Sequence, residues 1–175
     1  MEHDWLLEGA VKDERSVNAG WENVTQELID GVKVREVRNV PTGYGHLFEL
    51  FRADWQLDDG RIEQVFQSTL APGRISAWHA HQKTLDRLFV NGGMIQIVLY
   101  DARKGSPTHG TINEFRYGEL RPAMVTVPPK VWHGIRNVGN SPSSIINIVD
   151  RAYIYDDPDH WRLPRDSPEI PYRFD

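Results

Sequence analysis

The groups that could do chemistry concentrate in residues 73–93, Gly-Arg-Ile-Ser-Ala-Trp-His-Ala-His-Gln-Lys-Thr-Leu-Asp-Arg-Leu-Phe-Val-Asn-Gly-Gly. His79 and His81 are one residue apart, and on an extended chain, where side chains alternate from face to face, they point the same way. Asp86 adds a carboxylate before the Gly92-Gly93 turn, and Val127-Pro-Pro-Lys-Val-Trp-His133-Gly-Ile-Arg-Asn137 supplies a third histidine. An imidazole has an ordinary pKa of about 6.5, so a positioned histidine can remove a weakly acidic proton, such as one beside a ketone, near neutral pH. The enolate left behind needs donors on its oxygen, for which His133, Lys83 and Arg87 are the candidates. Reprotonation from the opposite face needs an acid, commonly a tyrosine, and Tyr100, Tyr153 and Tyr155 are available. The same side chains also suit a metal: His79, His81, Asp86 and His133 give three imidazoles and a carboxylate for Fe(II), Mn, Ni or Zn. Asp86 could instead pair at the surface with Arg87 or Lys83, and Trp78, Trp132 and Trp161 read as packing residues.

Such residues need a scaffold, and the sequence indicates one made of strands. Val32–Arg38 alternates apolar and polar, and His46–Arg52 follows the Pro41–Gly45 turn cluster as a second strand. Asp58-Asp59-Gly60 reads as a hairpin turn. Further strands are expected over Ile62–Leu70, Arg74–His81, Leu88–Asn91, Met94–Asp101, Glu114–Tyr117, Met124–Val127, Gly134–Val138 and Ile145–Arg151, with Gly, Pro, Asn or Asp at most joins. Many short strands and no helical period mean an all-β sandwich or barrel. With 175 residues, 39% hydrophobic and 26% charged, the chain makes one globular domain. No stretch approaches the roughly 18 apolar residues of a membrane helix, and no signal peptide is visible. The absence of cysteine excludes thiolate chemistry and fits a reducing cytoplasm. A net charge of −5 argues against nucleic acid as a partner.

Gly73, His79, His81, Asp86 and Gly93, followed by Pro128, His133 and Asn137, resemble in order and spacing the paired motifs of the cupin superfamily. Asp86 stands where that pattern has Glu, and Lys130 where it has Gly. Other segments are similar to one branch, the dTDP-4-dehydrorhamnose 3,5-epimerase family: Ile29-Asp-Gly-Val, Gly45-His-Leu-Phe-Glu49, Asp101-Ala-Arg-Lys-Gly-Ser-Pro-Thr-His-Gly110, and Val127-Pro with Trp132-His-Gly. The resemblance implies a homodimer that exchanges N-terminal strands, needs no metal, and inverts carbons beside the keto group of a nucleotide-linked 4-keto-6-deoxyhexose. It makes His79 the general base and His133 the second active-site histidine, with Glu49 holding the nucleotide from the partner subunit. Tyr153 or Tyr155 would stand for the acid and Asp157 for the carboxylate that orients the base. Where the family has an arginine three residues before the base, this chain has Ser76. Residues 79–83, His-Ala-His-Gln-Lys, are also similar to the dTDP-sugar 3,4-ketoisomerases, which implies that His81 and Lys83 face the sugar.

The expectation is therefore a single-domain cupin β-barrel of the jelly-roll type over 29–158, with an irregular N-terminal arm over 1–28 and a C-terminal tail over 159–175 packed on the barrel. Its expected function is that of a cytoplasmic, homodimeric epimerase or isomerase of a dTDP-type 4-keto-6-deoxy sugar. His79, His133, Tyr153 and Asp157 are its catalytic candidates, and Glu49, His81, Lys83 and Arg87 its substrate ligands. No cofactor, nucleic acid or membrane is needed. Two alternatives stand beside it: a metal-dependent dioxygenase or isomerase using His79, His81, Asp86 and His133, and a non-catalytic sugar-binding cupin.

Overall fold

The computed structural model describes residues 5–20, 24 and 26–174. Twelve strands run in chain order: β1 (Lys33–Glu36), β2 (Val40–Thr42), β3 (Gly45–Leu47), β4 (Gln64–Leu70), β5 (Ile75–Ala80), β6 (Asp86–Gly92), β7 (Met94–Tyr100), β8 (Ile112–Gly118), β9 (Ala123–Val127), β10 (Trp132–Asn137), β11 (Ser143–Val149) and β12 (Trp161–Arg162). Ten of them form two antiparallel five-stranded sheets, ordered β1-β9-β6-β11-β4 and β12-β5-β10-β7-β8, and β2 and β3 pair apart as a hairpin. The two large sheets face each other as a cupin-type barrel.

The central strands are buried on both faces, and their sequences show why. Along β6 Leu88 and Val90 point into the barrel while Arg87 and Phe89 point out; along β9 Val125 and Val127 point in and Met124 out. The outer face of this sheet is covered by Val37, Phe48, Leu50, Phe51, Trp55 and Leu57 from the segment between β1 and β4. The other sheet is covered by the tail, where Ile170, Tyr172 and Phe174 close over Trp78 and Val98. Strands with two covered faces read as near-continuous apolar runs rather than alternations. Inside the barrel Leu88, Val90, Ile95, Ile97, Leu99, Phe115, Val125 and Ile135 fill one part of the space. The histidines line a cavity in the rest.

The segment covering the first sheet departs from the sequence reading. The strand expected over His46–Arg52 stops at Leu47, because its only partner is the three-residue β2. Asp58 does not turn a hairpin: a 3-10 helix, Ala53–Trp55, precedes it. Its carboxylate instead accepts two hydrogen bonds from Arg87, at 2.7 and 2.5 Å.

At the β6–β7 turn Gly93 has φ +69°, and a Cβ there would fall 2.1 Å from Ser143 Oγ, so the motif glycine is required twice over. The motif asparagine is structural as well. Buried Asn137 donates to the carbonyls of Leu70 and Ser141 and accepts from Gly139 N–H and Ser143 Oγ, all at 2.8–2.9 Å. The Ser-Pro-Thr turn is tied by buried Asp101, which accepts from Arg103, Ser106 and Thr108. Arg103 and Thr108 in turn bind the Asp30 backbone ahead of β1. Arg103 thus anchors this turn.

Candidate active site

The site begins with an irregularity in β5. This strand pairs with β10 so that His133 lies opposite His79 but Ile135 lies opposite Ser76, which leaves one extra residue on β5. Such a bulge switches the phase of the alternation. Ser76 and His79, three residues apart, therefore both line the barrel cavity, together with His81. The pairing also sets His79 and His133 side by side, with ring centroids 4.1 Å apart.

The cavity holds about 580 Å³ between the two sheets and the chain after β11, within the range of small-molecule sites. Its floor is a cluster around Asp86. This carboxylate is 1% exposed, accepts from Asn147 Nδ2 at 2.7 Å, and lies 3.2 Å from His81 Nε2 and 3.4 Å from His133 Nε2. Both histidines turn Nδ1 to a backbone carbonyl, His81 to Asp159 and His133 to Val131. Burial works against charge on His81, but the contact with Asp86 and the Asp159 carbonyl outweigh it and raise its pKa. With acceptors on both nitrogens, His81 is best satisfied as an imidazolium. Burial pushes the His133 pKa down, with Asp86 opposing it. Burial also penalises the Asp86 charge, yet His81, His133 and Asn147 hold its pKa below the usual carboxylate value.

His79 differs from these two. It is half-buried, its Nδ1 is buried outright, and that nitrogen has no hydrogen-bond partner among the described residues. Burial first, then the neighbouring His133, His160 and His81, push its pKa well below the ordinary value. Near pH 7 it is a neutral imidazole, and with Nδ1 buried it is Nε2 that the cavity can reach. That is the state a proton acceptor requires.

No protein-family model matches the chain. Individual relatives do. The chain is 37% identical over 139 residues to the probable low-salt glycan biosynthesis epimerase Agl13 of Haloferax volcanii, spanning 79% of this chain and 89% of the relative. It is 36% identical over 147 residues to the spore coat polysaccharide biosynthesis protein SpsL of Bacillus subtilis, spanning 84% of this chain and 97% of that protein. The solved dTDP sugar isomerase of Desulfovibrio desulfuricans matches with a TM-score of 0.77 and 28% identity, over 82% of this chain and 90% of that one. The chain belongs to the dTDP-4-dehydrorhamnose 3,5-epimerase-like branch of the cupins. This is a branch of sugar epimerases and isomerases.

The residues singled out from the branch's motifs fall in three groups. His79, His81, Asp86 and His133 come together as described, and Lys83, Tyr153 and Asp157 line the cavity on its exposed side. Tyr153 is 47% exposed and touches Tyr155 edge-on, whereas Tyr155 is 86% exposed and lies outside the cavity. Asp157 makes no hydrogen bond to His79, whose buried Nδ1 stays without a partner. The carboxylate against the imidazoles is Asp86, and it faces His81 and His133.

Arg87 is a correction. Adjacent to Asp86 on β6, it must point the opposite way, and its fully buried guanidinium is bound by Asp58 and the Arg61 carbonyl on the outer face. It cannot reach a ligand in the barrel. Asp86, for its part, has no ion pair with Arg87 or Lys83. Glu49 is exposed, pairs with Arg52 at 3.0 Å, and does not line the cavity of its own chain.

Sequence reading missed His160, and it read its neighbour Asp159 only as a turn cap. Both line the cavity from the tail, some 80 residues after His79. Asp159 does cap a turn, but a distant one: its carboxylate accepts from the N–H groups of Gln82, Lys83 and Thr84. The available signal was weak, an acidic residue and a histidine between Pro158 and a tryptophan.

Proposed function

We propose that this protein epimerises or isomerises a nucleotide-linked 4-keto-6-deoxy sugar of the dTDP type by histidine proton transfer through an enolate. The observation that carries this reading is His79, a neutral imidazole in the wall of a sugar-sized cavity, with its ring beside that of His133. His79 takes the proton from a carbon flanking the keto group, and the enolate then accepts a proton on its other face. Tyr153, which lines the exposed side of the cavity, is the acid in this reading, and Asp157 stands at the same rim. Lys83, also at the rim, meets the anionic nucleotide. No cofactor takes part. The enzyme works as a homodimer in the cytoplasm, with Glu49 reaching the partner's nucleotide. The dimer is supported by the arm, where Trp5, Leu7 and Val11 are 73–89% exposed and find cover only against another surface.

The test is deuterium exchange. The protein in D₂O with dTDP-4-keto-6-deoxyglucose should incorporate deuterium beside the keto group, read by NMR. His79→Ala should slow this by about 10² to 10⁴. Full exchange in the variant removes His79 as the base, and no exchange by the wild type over a panel of dTDP- and UDP-4-keto sugars removes the reading.

A second reading has its own observation. Ligand atoms of His81, Asp86 and His133 lie within 4.8 Å of one another. Both imidazoles give Nδ1 to a carbonyl and turn Nε2 inward, as metal-binding histidines do. His79 stands outside this trio. In this reading Fe, Mn, Ni or Zn is bound by the three residues. Near-stoichiometric metal in protein purified without a tag, lost on His81→Ala, selects it, and metal-free folded protein rejects it.

A further inference from the structure

The donor that holds the enolate oxygen has so far no residue assigned to it. The three candidates suggested by sequence are each poorly placed: Arg87 is on the wrong face, buried His133 lies between Val131 and Asp86, and Lys83 is exposed at the rim. His160 is better placed. Its backbone is fixed on both sides. Before it, Asp159 binds three N–H groups and the Thr84 hydroxyl at 2.7–3.0 Å, and the Asp159 carbonyl accepts from His81 Nδ1. After it, Trp161 and Arg162 pair with Ala80 and His79 on β5. The His160 ring consequently stands with its centroid 5.4 Å from that of His79 and 4.9 Å from that of His81, in the cavity wall.

The ring nitrogens divide the four histidines of the cavity into two pairs. His81 and His133 engage a carbonyl on one side and Asp86 on the other. The rings of His79 and His160 make no hydrogen bond among the described residues; His79 Nδ1 and His160 Nε2 are buried, which leaves Nε2 of His79 and Nδ1 of His160 as the nitrogens a ligand can reach.

We propose that His160 is a catalytic residue of the proton transfer set out above, on which this inference rests: its Nδ1–H donates to the keto oxygen and holds the enolate while His79 takes the adjacent proton. In that step the C–H bond breaks and its electron pair becomes the carbon–carbon double bond. The carbonyl π pair moves to oxygen, opposite His160, and the proton passes to His79. Protonation of the other face reverses the electron movement, and no oxidant or reductant is needed. A fixed N–H aimed at the developing charge in a site poor in water is worth far more than the same bond in solution. The 4-oxygen is common to enolates formed toward C3 and toward C5. Loss of its donor therefore slows both exchanges alike, whereas loss of an acid on one face does not.

The experiment compares wild type, His160→Phe and His160→Gln with dTDP-4-keto-6-deoxyglucose in D₂O. Proton NMR reads exchange at C3 and C5, calorimetry reads dTDP affinity, and thermal unfolding reads the fold. The Phe variant should lose about 10² to 10³ in kcat at every carbon the wild type exchanges, with dTDP affinity within about twofold. Gln, which keeps an N–H, should recover about tenfold of that loss. If the Phe variant does not fold, His160→Leu, which cannot overfill the site, is read in the same way. Wild-type kcat in the apolar variant, or a loss that only follows dTDP affinity, overturns the assignment of His160. Absence of exchange in the wild type overturns the proton-transfer reading itself and His160 with it.

Discussion

Lys130 shows how a single backbone angle separates a motif from its function. It occupies the glycine position of the second cupin motif and has φ +68°, in the left-handed region where a side chain costs about 1–2 kcal/mol. Its N–H donates to the His81 carbonyl at 2.6 Å, so the strained residue still holds the end of the β5 segment. Lys130→Gly should therefore raise stability by up to about 1 kcal/mol, and Lys130→Val should lower it by about 1–3 kcal/mol, both read by urea unfolding. The buried carboxylate at Asp86 is a different case. Asp86→Ala leaves His81 and His133 without their shared partner and should cost about 3–5 kcal/mol. The hydrogen-bond pattern of these residues was not legible in the sequence, since proximity of His81 and His133 depends on strand pairing between the two sheets.

The Asp101–Thr108 turn belongs to the scale of elements. Burial alone would raise the pKa of Asp101, but hydrogen bonds from Arg103, Ser106 and Thr108 hold it well below the usual carboxylate value. A carboxylate with a depressed folded pKa adds stability that is fully present above its unfolded value of about 3.9. That stability is lost as pH falls below it toward the folded value. Asp101→Asn should cost about 2–3 kcal/mol at pH 7, and the gap to wild type should narrow in acid, as measured by thermal unfolding from pH 7 to pH 2. Exchange activity per folded molecule should stay unchanged, because the turn ties β1 to the barrel and does not line the cavity. The Ser-Pro-Thr-x-Gly stretch, which marks the branch in sequence, is thus structural. Strand existence was readable from period and punctuation. The β5 bulge was not, because it arises from pairing with β10, 54 residues away at the His79–His133 register.

At the scale of the whole molecule, two coverings make the barrel what it is. Segment 37–61 closes one sheet, with Arg87 buried over Phe51 at 5.3 Å. The tail closes the other, with Phe174 5.1 Å and Tyr172 6.1 Å from the Trp78 ring. Removing residues 164–175 uncovers Trp78 and should lower Tm by about 5–10 °C, given about 1.5–3 kcal/mol for an aromatic side chain of this kind. The same truncation keeps β12 and His160, so the shape of the cavity should survive at low temperature. The arm makes the corresponding prediction for assembly. If the proposed homodimer uses this arm, deletion of residues 1–20 should shift the mass in light scattering toward that of a monomer, and an unchanged mass would remove the arm from the interface.

The sequence by itself determined the fold class, the paired cupin motifs, and the histidine and carboxylate types that meet in the barrel. Those follow from local rules: alternation along a strand, turn residues at joins, and spacing within one motif. Tertiary structure alone decided which of these groups is available for chemistry. It turned Arg87 outward to Asp58, set Asp86 between His81 and His133, and left His79 without a hydrogen-bond partner among the described residues. It also brought His160 from the tail to a ring-centroid distance of 5.4 Å from His79. The physical reason is that a side chain's role depends on the acceptors, donors and water around it, and those are supplied by strands far apart in the chain.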